Sequence, residues 1–188
     1  FLGLKGEAQT LLGDAPGYNE TITRALAIHK KQKILAPVFA APYLVACFVA
    51  DIHQLQQQVR AKASSNDPNI RRNSYRSGKA ALRNSRKYAP YRTKIFRLMG
   101  LYYWLIGKQR KALRWWDTAI KEGERLGARP DLSRTYFEVG KHLLTPESEY
   151  KQLDGIDASG YLDKAGVLFE EMGLERDLED LERVRMGL

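Results

Sequence analysis

The chain has little of what catalytic and metal centres are usually built from. Its 188 residues include one cysteine, Cys47, and three histidines. A single cysteine excludes an internal disulfide framework and is typical of a reducing compartment. No histidine stands at metal-ligand spacing from a second ligand, as in HExxH or CxxC, and no GxSxG elbow or phosphate loop is present. We therefore predict that the chain is not an enzyme and holds no cofactor and no metal.

Alternating strand patterns are also absent, whereas helical spacing of apolar residues runs through most of the chain. Residues 145–160 (TPESEYKQLDGIDASG) are polar with little periodicity, and we predict a flexible insertion there. The predicted class is all-α, in a single domain over residues 1–188. We expect helices near residues 1–12, 17–33, 41–63, 68–88, 91–106, 109–126, 131–144, 159–172 and 175–186.

The longest apolar run covers residues 34–50 and contains no charge, which is near the lower limit for a membrane span. Pro37 and Pro42 interrupt its first half, so we predict a helix only from residue 41. Apolar residues at helical spacing then continue into a polar stretch, which favours a buried core helix over a membrane segment. We expect a cytoplasmic protein with no signal peptide. The predicted buried stripe comprises Leu44, Phe48, Ile52, Leu55 and Val59.

The net charge of +9 is unevenly distributed along the chain. Residues 1–146 contain 26 basic and 10 acidic side chains, whereas residues 147–183 contain 4 basic and 12 acidic ones. This asymmetry predicts a charged partner, or a contact with the acidic C-terminal segment within one molecule or between copies.

No acidic residue occurs in residues 71–97, which contain ten Lys or Arg. Five of them, at spacings of 4, 3, 4 and 3, would form one stripe along a helix, and small residues occupy the opposite side. Three interpretations remain open: a solvated outer face, a docking face for an acidic protein segment such as residues 170–182, or a nucleic-acid surface. The basic stripe comprises Arg72, Arg76, Lys79, Arg83 and Arg86.

Residues 94–144 resemble the tetratricopeptide repeat. Gly100 stands in the first helix between large residues, and Trp116 stands in the second helix between two alanines. The pattern recurs around Gly140 and more weakly around Gly6. The resemblance implies a right-handed array of α-hairpins, a tetratricopeptide-like superhelix of about four helix pairs with a short C-terminal helix. In such arrays, small residues let paired helices approach closely.

Residues 111–144 and 161–182 look like the C-terminal helical-repeat region of large bacterial signalling proteins. In those proteins, similar tails follow an AAA-type ATPase module and an adenylate or guanylate cyclase or Ser/Thr kinase domain. The resemblance implies a regulatory or interaction tail. The start at Phe1 without Met favours a fragment of a longer protein, and any catalytic domain would then lie outside these residues.

In tetratricopeptide arrays, the first helix of each pair lines a concave groove that holds peptides. The resemblance therefore implies a basic and aromatic face for an acidic or extended peptide, and a protein-interaction or regulatory module of a signalling protein. The alternative is a nucleic-acid-binding helical domain of a transcription regulator that uses the basic stripe. The implied groove residues are Lys94, Arg97, Leu101, Trp104, Arg134, Phe137 and Lys141.

Overall fold

The computed structural model describes residues 2–31, 36–61 and 67–187, and this part of the chain is all-helical, which confirms the predicted class. The predicted helix ends at residues 33 and 63 lie outside the described residues. The helices are α1 (Leu2–Leu11), α2 (Ala15–Lys31), α3 (Pro37–Arg60), α4 (Pro68–Ser85), α5 (Arg92–Leu105), α6 (Gln109–Leu126), α7 (Arg129–Leu144), α8 (Ala158–Glu171) and α9 (Glu175–Arg185). A 3₁₀ turn covers Ala89–Tyr91, and two short strands are β1 (Gln152–Leu153) and β2 (Ile156–Asp157).

The chain divides into two compact units, of which the first ends at Leu98 and the second begins at Met99, within α5. The single domain expected from the sequence stays a prediction.

The first unit is built on α3, against which α1 and α4 pack. The predicted start of this helix is wrong, because α3 begins at Pro37 and continues through Pro42. Pro37 stands in the first helical turn, where its missing N–H costs no hydrogen bond. Pro42 lies inside the helix and lacks the N–H that would donate to the Val38 carbonyl oxygen, so one backbone bond is lost. At this point α1 lies close to α3: a Cβ on Gly3 would overlap the backbone of Pro42 and Tyr43.

The predicted buried stripe of α3 is largely present. Phe48, Ile52 and Leu55 are 0%, 2% and 1% exposed, whereas Val59 is 46% exposed, so the stripe ends one turn earlier than predicted. Among the described helices, only this 24-residue helix is long and apolar enough to cross a membrane. Core helices of soluble proteins also meet this criterion of length and composition. In this unit α3 is the central packing helix.

The second unit has its core around Trp116 of α6, which is fully buried. Trp116 packs on Gly100 of α5, where a Cβ would overlap the indole ring. Gly140 of α7 also lies close to α8, since a Cβ there would be 2.7 Å from Leu162 Cγ and 2.9 Å from the Ala158 carbonyl oxygen. Both glycines therefore lie at contacts between successive helices, as the repeat pattern predicts.

The segment at residues 145–160 has more regular structure than the sequence predicts. Its strands pair antiparallel around Asp154 and Gly155, which have φ angles of +49° and +76°. Asp-Gly with both residues at positive φ is a favoured two-residue hairpin turn. The Tyr161 hydroxyl donates to the Leu153 carbonyl oxygen at 3.1 Å, and the Gln109 side chain binds the backbone of Glu147 and Glu149. The prediction of a segment without regular structure is therefore wrong, because the segment contains a hairpin. Its predicted flexibility stays a prediction.

Replacing Gly100 with alanine is expected to destabilise the second unit by about 1–3 kcal/mol, because the new methyl group overlaps a rigid buried indole. Gly166 of α8 is the matched control. A Cβ there would meet only Leu181 and Arg185, at 3.6 and 3.8 Å, so Gly166→Ala should stabilise by about 0.5–1 kcal/mol through helix propensity.

The free energy of unfolding of both variants can be measured by urea unfolding followed by tryptophan fluorescence. This signal reports on the second unit, because Trp104, Trp115 and Trp116 all lie there. Equal midpoints for Gly100→Ala and Gly166→Ala would contradict the close approach of α5 and α6.

A candidate binding groove beside the basic stripe

Helix α4 separates small side chains from cations. Ser74, Gly78, Ala81 and Ser85 are buried on one side. The five residues of the basic stripe are all exposed, and the last of them, Arg86, follows the end of the helix. The small residues let the α4 backbone approach α3, and the cations consequently remain in solvent.

Hydrogen bonds to backbone atoms fix the position of α4 at both ends and at its middle. Asp67 caps the first turn by accepting from the Asn69 N–H at 2.8 Å. The Ser74 hydroxyl lies 3.1 Å from the Asp51 carbonyl oxygen of α3, and the Asn84 amide donates to the Pro37 carbonyl oxygen at 3.0 Å. The bonds of Ser74 and Asn84 hold α4 in register against α3.

An open groove of about 590 Å³ runs between α3 and α4. Helix α4 contributes Arg76, Lys79 and Arg83 to its wall, together with polar and aromatic side chains. Helix α3 contributes a face at a spacing of four residues. That face comprises Tyr43, Cys47 and Asp51.

The groove has an excess of positive charge. Three cations line it against the single carboxylate of Asp51. Within the described ranges, Arg76, Lys79 and Arg83 form no ion pair with a carboxylate, and Lys79 Nζ lies over the Tyr75 ring at 5.6 Å from its centroid. The groove can therefore bind an anionic group without first breaking an internal ion pair.

Burial disfavours the charged forms of the titratable groups along the α3 wall. It raises the pKa of the Cys47 thiol, the Asp51 carboxylate raises that pKa further, and hydrogen bonds with Tyr43 and Tyr18 partly oppose the shift. Burial also raises the pKa of both tyrosine hydroxyls and that of the Asp51 carboxyl. A protonated thiol is a poor nucleophile, so the groove has the chemistry of a binding site.

Residues implied by the repeat resemblance lie elsewhere, and the structure does not gather them around this groove. Lys94 and Arg97 lie on α5 in the first unit and are half-buried. Leu101 of α5, in the second unit, is buried at 4% exposure. The remaining implied groove residues make contacts within the second unit. They are Trp104, Arg134, Phe137 and Lys141.

In that unit, Arg134 makes a two-pronged ion pair with Asp177 of α9, with donor–acceptor distances of 2.9 and 2.8 Å. Phe137 packs edge-on against Phe169 at 6.2 Å between ring centroids, and Lys141 lies over the Phe137 ring. Trp104 packs on Trp116. These internal contacts do not test whether a partner binds these residues, so that role stays a prediction.

The α3 wall is the part of the groove that sequence reasoning missed. Tyr43, Cys47 and Asp51 recur every four residues, which places them on one helix face. That spacing can be read from the sequence, but the sequence does not show which helix packs opposite this face.

The chain matches no protein-family model, and no curated protein or solved structure shows significant similarity to it. Among the described residues, no group of three or more His, Cys, Asp or Glu side chains could hold a metal ion.

The Cys47 thiol should react slowly with iodoacetamide at neutral pH, with its rate rising only at higher pH than for an unburied cysteine, because burial and Asp51 disfavour the thiolate. Asp51→Asn removes the neighbouring charge and should shift the rate profile to lower pH. Asp67→Asn is the control, since Asn caps a helix as well as Asp.

Alkylation rates measured across a pH series test this expectation. A wild-type profile that coincides with that of a solvent-exposed cysteine would contradict the burial of the thiol in the groove wall.

Proposed function

We propose that this chain is a protein-interaction module that binds an acidic protein segment in the groove between α3 and α4. The observation that carries the proposal is the set of three exposed cations along one wall, none of them paired with a carboxylate in the described part of the chain. Electrostatic complementarity of this kind steers association and selects partners by charge.

The spacing of the cations defines the partner. Arg76, Lys79 and Arg83 span seven residues, or about 10 Å along the helix axis. A helical segment with carboxylates three and four residues apart repeats that spacing, as in other complexes in which a helix lies in a groove. The open shape of the groove also suits a chain segment better than a small molecule, which is usually largely enclosed.

The fold that presents this groove is, in our proposal, a right-handed tetratricopeptide-like array of about four helix pairs with a closing helix. Its support is local and comes from within each unit. Gly100 lies on Trp116, Gly140 lies on Leu162, and a Cβ on Gly6 would be 3.2 Å from Ile22. Arrays of this kind commonly serve as binding surfaces. A cytoplasmic regulatory tail of a bacterial signalling protein is the context we propose for it.

Nucleic-acid binding is the competing function, and one observation favours it. All five cations of the basic stripe are exposed along a single helix, and Tyr75 beside them is exposed as well. Phosphate binding would make the affinity strongly dependent on salt, and aromatic stacking would favour single strands.

A labelled peptide with glutamates at spacings of three and four residues is expected to bind the wild-type chain, as measured by fluorescence anisotropy. Arg76→Glu/Arg83→Glu should weaken binding at least about tenfold, or about 1.4 kcal/mol, because two favourable pairs become repulsive. Arg110→Glu/Arg114→Glu, which reverses two exposed charges of α6, is the matched control and should leave the affinity nearly unchanged.

Two further measurements distinguish this proposal from nucleic-acid binding and from binding on the face implied by the repeat resemblance. Tighter binding of single-stranded or duplex DNA than of the peptide at equal salt would replace the proposal with the nucleic-acid function. A loss confined to Arg97→Glu/Lys141→Glu would place binding on the face implied by the repeat resemblance instead.

A further inference from the structure

The acidic end of the chain carries a surface that complements the basic stripe. Residues 170–182 (EEMGLERDLEDLE) contain seven carboxylates and one arginine. The C-terminal helix, α9, occupies most of this segment. Its exposed acidic side therefore offers a binding surface that no contact described so far uses.

One side of α9 is fixed within its own unit. Leu181 is 1% exposed, and Leu178 and Val184 pack on the same core. Asp177 pairs with Arg134 of α7. Arg185 pairs with Asp163 of α8. The buried side and its flanking ion pairs set which side chains of α9 face solvent.

Three glutamates remain exposed along α9. Glu175, Glu179 and Glu182 stand at spacings of 4 and 3. Within the described residues, Glu175 and Glu179 form no ion pair, and Glu182 pairs only with Arg185, on its own helix. These three glutamates form the acidic stripe of α9.

The two stripes match in reverse order. Read backwards along α4, the groove cations Arg83, Lys79 and Arg76 stand at spacings of 4 and 3, as the glutamates do. An antiparallel approach would place one carboxylate opposite each cation of the groove wall. Both surfaces are exposed, and the internal contacts that pairing could displace are the Glu182–Arg185 ion pair and the contact of Lys79 with the Tyr75 ring.

Resting on the proposed function, we infer that the partner of the α3–α4 groove is a second copy of this chain, which inserts its own α9. The contact joins two different surfaces, because each copy offers one groove and one acidic stripe. Such head-to-tail contacts extend into chains or close into rings, of which the smallest is a dimer with reciprocal insertion. Since the charges stay near solvent, salt should dissociate the assembly.

Analytical ultracentrifugation of the wild-type chain tests the inference. The mass should rise above the 21.5 kDa of one chain with increasing concentration at low salt, and fall back at high salt. A mass that stays at one chain over the whole concentration range would overturn it.

Charge reversal identifies the surfaces. Arg76→Glu/Lys79→Glu/Arg83→Glu alone and Glu175→Lys/Glu179→Lys/Glu182→Lys alone should each abolish association. An equimolar mixture of the two variants, and the chain that carries both sets, should restore it. The Arg110→Glu/Arg114→Glu control should associate as the wild type does, and circular dichroism checks that every variant is folded.

Association that survives either single reversal, or that mixing fails to restore, would overturn the inference. Failure here is distinguishable from failure of the proposed function. If the wild-type chain stays monomeric but binds the acidic peptide, the groove function stands and the second copy is excluded as its occupant. If neither is bound, both proposals fall.

Discussion

Both units depend on helices approaching one another more closely than large side chains would allow. At Gly100, the indole of Trp116 occupies the space that a Cβ would need, and at Gly140 Leu162 and a backbone carbonyl oxygen do so. Gly3 meets the α3 backbone in the same manner. Glycine within a helix costs about 0.5–1 kcal/mol relative to alanine. The dispersion contacts and apolar burial around a residue as large as Trp116 outweigh that cost.

The same constraint creates the candidate binding surface. Because Ser74, Gly78, Ala81 and Ser85 face α3, the long charged side chains of the basic stripe lie on the exposed side of α4. Those long side chains are Arg and Lys, so close packing on one side produces a line of cations on the other. The groove then follows from a packing requirement in α4, without any loop devoted to binding.

Much of this organisation could be predicted from residue spacing. Helical periodicity predicts the nine helices of the described residues. The resemblance to the tetratricopeptide repeat implies the contact between Gly100 and Trp116. The Asp154-Gly155 hairpin was missed, although Asp-Gly between apolar residues is a direct turn signal. It was missed because the strands it joins are two residues long and show no alternation. Pro42 misled for a different reason: it lies inside α3, where the packing of α1 and α4 against the helix offsets the one backbone bond that proline removes.

The groove itself could not be predicted, because its α3 wall depends on which helices pack together. Cys47 lies in an apolar run and Asp51 in a polar one, and nothing local links them to Arg76. Only tertiary packing, fixed partly by the bond between Ser74 and the Asp51 carbonyl oxygen, brings the two walls together.

Exposure of the groove charges determines what kind of binding they can support. A buried ion pair carries a desolvation cost of several kcal/mol per ion, and removing one partner leaves the other charge uncompensated. Arg76, Lys79 and Arg83 instead remain hydrated, so each contact to a partner carboxylate contributes little and several must act together. Affinity then depends on matching the spacing of the whole stripe, and salt or charge-changing modification can tune it. A reversible contact selected by charge pattern is what such a surface favours over a permanent interface.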